Sequence, residues 1–170
     1  LTLSRDRGEP PEAVLSDLSI VPLVISYEVD PCDALKAAEL AAGEGYVKAK
    51  FEDVSSIARG ITGDKGCVHL HFGEPLPADL SVEEVVAALD QQMARHYRLY
   101  QTNRWAWEWL HGESVPAALA FHEGSVTEQS FKARIDSVPS EHRQWLLTMY
   151  ANPVSRQLAL DITDKDRSCD

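Results

Sequence analysis

Apolar positions along this chain change period part-way through. Residues 20–27, "IVPLVISY", are rich in Val and Ile with little alternation, the pattern of a strand covered on both faces. "CVHLHF", residues 67–72, alternates as a second strand should. From residue 81 the period becomes helical. "VEEVVAALDQQMARHYRLY" puts Val82, Val85, Val86 and Leu89 on one face, and Ser81 with Glu84 forms a capping box before it. Further helices are predicted over 102–111, 128–138 and 140–150, the last ended by Asn152-Pro153. Earlier in the chain, Glu12–Leu18 reads as a short helix after a Gly-Glu-Pro-Pro breaker, "DALKAAELAA" as a helix ending at Gly43 and Gly45, and 51–59 as a helix stopped by Gly60. The last ten residues read as frayed. Strands thus come early and helices late, without an internal repeat.

The handover at residues 27–33, "YEVDPCD", admits two readings. Asp30 as N-cap, Pro31 at the first helical position and Asp33 at the third would start a helix and sit well at its positive end. Strand ends in α/β sheets are also where ligands bind, so Tyr27, Glu28 and Asp30 are candidates for a substrate pocket. Capping accounts for Asp30 and Asp33 without any chemistry.

Composition narrows the function classes. A net charge of −11 over 170 residues excludes a general nucleic-acid binder and docking on anionic lipid through charge alone. Cys32, Cys67 and Cys169 are too widely spaced for a disulfide framework and fit a reducing compartment. Neither a signal peptide nor a membrane-spanning run is legible, Ile20–Ile25 being the longest clean apolar stretch. Beginning at Leu1 rather than methionine, the chain reads as a piece of something longer.

Three further patterns have a chemical and a structural reading each. Cys67, His69 and His71 fall on one face of their strand, a spacing that suits zinc, or simply a half-buried face. Gly60, Gly63 and Gly66 beside Lys65 suggest a phosphate cradle, but the order helix–turn–strand is the reverse of a phosphate loop, which favours cap and turn. Trp105, Trp107 and Trp109 fit either a membrane interface, with Arg95, Arg98 and Arg104 nearby for lipid phosphates, or packing between helices through Trp105 and Trp109. No Gly-x-Ser-x-Gly elbow is present.

Taken together, "IVPLVISYEVDPCDALKAAEL", "GITGDKGCVHLHFGEPL", "HYRLYQTNRWAWEWL" and "LLTMYANPVSRQ", in that order, resemble the carboxyl-terminal half of bacterial glycerol-phosphate and 1-acylglycerol-phosphate acyltransferases. The resemblance implies an α/β fold: residues 1–77 as the carboxyl-terminal part of the acyltransferase sheet domain, and 78–170 as a mainly helical extension. It implies transfer of an acyl group from acyl-CoA or acyl carrier protein to a glycerophosphate acceptor by the full-length parent, in the cytoplasm at the periphery of the inner membrane. No cofactor, metal or nucleic acid is implied. The family's base is the histidine of a His-x-x-x-x-Asp block, oriented by the aspartate. Here the residues five positions after His69, His71, His96, His111, His122 and His142 are Glu74, Leu76, Gln101, Pro116, Thr127 and Leu147. The acceptor-binding block of the Phe-Pro-Glu-Gly or Arg-Glu-Gly-Arg type is missing as well. Of the family's motifs only the late one maps, onto Val21-Pro22-Leu23, where Pro22 would shape the pocket wall. No catalytic residue is expected in this chain, which should be inactive alone and expose apolar surface. The alternative is a stand-alone, non-catalytic module that binds a partner, or a metal through Cys67, His69 and His71.

Overall fold

Two strands and six α-helices follow one another in the computed structural model, which describes residues 18–167, with side chains to residue 160. They are β1 (Leu23–Tyr27), α1 (Asp33–Ala42), α2 (Glu52–Thr62), β2 (Val68–Phe72), α3 (Val82–His96), α4 (Gln101–His111), α5 (Glu128–Asp136) and α6 (Ser140–Arg167). The protein is mixed α/β, mostly helical, with β1 and β2 as a two-stranded sheet. The pairing is antiparallel: Gly73 N–H donates to Pro22 C=O at 2.8 Å and Glu28 N–H to Cys67 C=O at 2.9 Å. This register sets Leu23 opposite Phe72 and Ile25 opposite Leu70. The helix expected over 12–18 falls outside the described residues apart from Leu18.

The described residues divide into two compact units, 18–25 with 70–97, and 26–69 with 98–167. In the first unit the core is small: Leu76 and Val85 are buried, with Ile20, Leu80, Val82, Ala88 and Leu89 against them. The capping box forms as predicted, Ser81 Oγ accepting from Glu84 N–H and Glu84 Oε2 accepting from Ser81 N–H. Val24 points inward. Val21, Leu23, Ile25, Leu70 and Phe72 lie 41–73% exposed, so this sheet face is bare. β1 is therefore covered on one face, not two, and β2 turns its histidines inward and its apolar residues out.

In the second unit α1, α4 and α5 pack on α6. Phe131, Leu146 and Val154 are fully buried there, with Ala106, Ile135, Tyr150 and Ala151 around them. Asn152-Pro153 does not end the last helix, which runs through Pro153. The proline removes one N–H bond, but Ala151 and Val154 on either side are buried, and that packing holds the helix continuous. α2 likewise passes through Gly60 and stops at Gly63, whose N–H bonds to Arg59 C=O. α3 stops four residues short of the predicted end, because Tyr97 is extended.

Candidate functional site

The carboxyl end of β1 opens onto a groove of about 370 Å³ between α1 and α2, lined among others by Tyr27, Asp30, Cys32, Lys36, Ser56 and Lys65. Two of the four expected pocket residues, Tyr27 and Asp30, are there. Pro22 is buried in the first unit, where its carbonyl pairs with Gly73, and it does not line the groove.

Glu28 does not line it either. Its carboxylate, 2% exposed, accepts four hydrogen bonds: Cys67 N–H at 2.8 Å, Ser125 N–H and Oγ–H at 3.0 Å each, and Val126 N–H at 2.7 Å. Gly66 and Gly124 leave the room this carboxylate occupies, since a Cβ on either would collide with it, and Gly66 adopts φ +59°. Burial alone would raise the pKa of Glu28, but the backbone donors and the Ser125 hydroxyl outweigh it and hold the carboxyl's pKa below its ordinary value. Glu28 is a strut between β1, the start of β2 and the 124–126 segment. Its carboxylate oxygens are engaged by donors of its own chain.

Asp30 and Asp33 also depart from simple caps. α1 begins at Asp33, and its N-cap Cys32 makes no side-chain cap. Asp30 closes the preceding turn, accepting from Cys32 N–H at 2.8 Å and from Lys36 Nζ at 2.5 Å. Asp33, 3% exposed, accepts Arg134 Nε at 2.5 Å, a second Arg134 nitrogen at 3.0 Å and the Tyr150 hydroxyl at 2.7 Å. Arg134 further donates to Asp30 C=O, and Tyr150 Oη accepts from Asp30 N–H at 2.9 Å. Burial disfavours the Arg134 charge, yet Asp33 overrides this and raises its affinity for the proton. Burial first, then the Asp33 charge and hydrogen bond, keep the Tyr150 phenol protonated far above its usual range.

This latch joining α1, α5 and α6 was not read from the sequence. Its one signal is that Arg134 lies three residues after Phe131 and one before Ile135, both buried. A cation beside core positions calls for a buried anion.

The remaining candidates resolve into structure. Cys67, His69 and His71 do not assemble a metal centre: among the described residues no group of three or more His, Cys, Asp or Glu side chains is placed to hold an ion. Cys67 donates its amide to Glu28, and His71 stacks on His96. Lys65 caps α2, its Nζ donating to Ile61 C=O at 3.2 Å and Gly63 C=O at 3.0 Å, so the glycines form no phosphate cradle around it. Trp109 stacks on Phe131 with centroids 5.7 Å apart, and Trp105 lies against the same ring at 6.2 Å. Trp107, only 7% exposed, stacks on His111. Trp107 is buried in the second unit, while Trp105 and Trp109 are half-buried against Phe131. No helix among the described residues is long and apolar enough to cross a membrane.

No family model, curated protein or solved structure matches this chain.

What the groove offers chemically is limited. Lys36 is paired with Asp30, Lys48 with Asp53, and the Cys32 thiol donates to Ser56 C=O at 3.4 Å. It holds no histidine, and so no imidazole that could take a proton from an alcohol.

Proposed function

We propose that this chain is the carboxyl-terminal portion of a phospholipid-synthesis acyltransferase. Such an enzyme moves an acyl group from acyl-CoA or acyl carrier protein to the hydroxyl of glycerol phosphate or 1-acylglycerol phosphate. One observation carries the reading: β1 is apolar on both faces, as a strand inside an α/β layer must be, yet its outer face is bare. The ordered acyltransferase-like segments say what kind of layer would cover it. The chain supplies a wall, with Tyr27 and Asp30 at the strand end, while the His-x-x-x-x-Asp base and the acceptor block belong to the parent, peripheral to the inner membrane.

The test has two arms. The purified chain, given labelled acyl-CoA or acyl carrier protein with either acceptor, should show no transfer above the blank. The encoding DNA should continue upstream in frame to a His-x-x-x-x-Asp segment. Transfer by the chain alone overturns the proposal. DNA without such a segment favours the second reading, a stand-alone partner-binding module, which draws on the same bare faces.

A further inference from the structure

α3 is fastened differently at its two ends. The amino-terminal half has the capping box and the apolar cluster around Leu76 and Val85. Between Asp90 and His96 no residue is buried, and Met93 is half exposed. Polar contacts hold this end. Gln92 Oε1 accepts from Glu74 N–H at 2.9 Å while its Nε2 donates to Glu74 C=O at 3.1 Å. His96 lies face to face with His71 of β2, the ring centroids 4.0 Å apart and the planes within 11°. A Cβ on Gly73 would collide with Gln92, so the helix end approaches the strand closely.

We propose that the His71–His96 stack is an acid-sensitive latch: it holds the last turns of α3 against β2 near neutral pH, and its protonation parts the rings and frees those turns. His71 faces His96 from the strand, Arg95 adds a positive charge from the helix itself, and Glu74 is the opposing negative group. Burial first, then His71 and Arg95, hold the His96 imidazole below its ordinary value, with Glu74 working the other way. The sign follows. The closed form binds the proton less well than the released form, so opening takes up a proton and falling pH favours it, increasingly below about pH 6.5. The amino-terminal half is fastened by apolar contacts and a cap that do not titrate in this range, so the release is local.

Amide hydrogen exchange by NMR tests this on the whole chain, as protection factors corrected for intrinsic rates. Between pH 7.5 and 5.5, protection over residues 93–97 should fall about three- to tenfold, while residues 85–89 hold theirs. In His96→Gln and in His71→Gln the difference between the two pH values should vanish. Equal protection of residues 93–97 at both pH values in the unaltered chain overturns the proposal, and so does a fall that persists undiminished in both variants. The unaltered chain alone decides the matter if either variant fails to fold.

Discussion

Glu28 shows how one side chain can organise a site without acting in it. Four donors converge on a carboxylate that water hardly reaches. Glu28→Gln should cost about 2–3 kcal/mol, because an NH₂ group would then face backbone donors in a buried space. Urea unfolding of the two proteins measures it. The same residue shapes the acid limb of stability. Its folded value is depressed, so its contribution is fully present above the unfolded carboxyl value of about 4.3 and is lost as pH falls through the folded one. The variant's stability should therefore decline less steeply with acid. Asp33 makes a parallel case. Arg134→Ala strands a buried carboxylate and should cost about 3–5 kcal/mol. Tyr150→Phe removes one of its donors and the acceptor for Asp30 N–H, which should cost about 1–3 kcal/mol. Thermal or urea melts should rank the two in that order.

At the scale of elements, α2 is the most informative because it turns apolar side chains outward. Ser56, Ile57 and Gly60 line the groove shared with α1, and Gly63 abuts Pro31, whereas Val54 and Ile61 stand 65% and 73% exposed. The helix read over 51–59 formed, but Val54 and Ile61 on it face outward. Each such side chain forgoes roughly 1.5–3 kcal/mol of burial. α6 departs the other way, carrying Pro153 within the helix. Pro153→Ala would restore an N–H bond and relieve crowding one turn back, and should raise stability by about 1 kcal/mol or more, read from the urea midpoint.

For the whole molecule, bare apolar faces on the sheet and on α2 predict self-association in water. Sedimentation velocity should show concentration-dependent larger species, reduced by Phe72→Ser with Leu70→Ser and by Ile61→Ser. A strictly monomeric unaltered chain at all concentrations would contradict this. Much of the fold was legible because its signals are local: the Ser81–Glu84 box lies within one turn, and Trp105 and Trp109, four apart, meet the same Phe131 ring. The candidate site was legible in part. Tyr27 and Asp30 follow from the strand's end, but the occupation of Glu28 by residues 125 and 126 has no trace near position 28.

What the sequence determined alone is where elements start and which faces are apolar, since caps, turns and periodicity act over a few residues. Only the tertiary structure decided which of those faces would be covered, that Asp33 would meet Arg134 and Tyr150, and that a helix would run through Pro153. Those outcomes depend on groups a hundred residues apart sharing one low-water space, and no local pattern records which groups will share it.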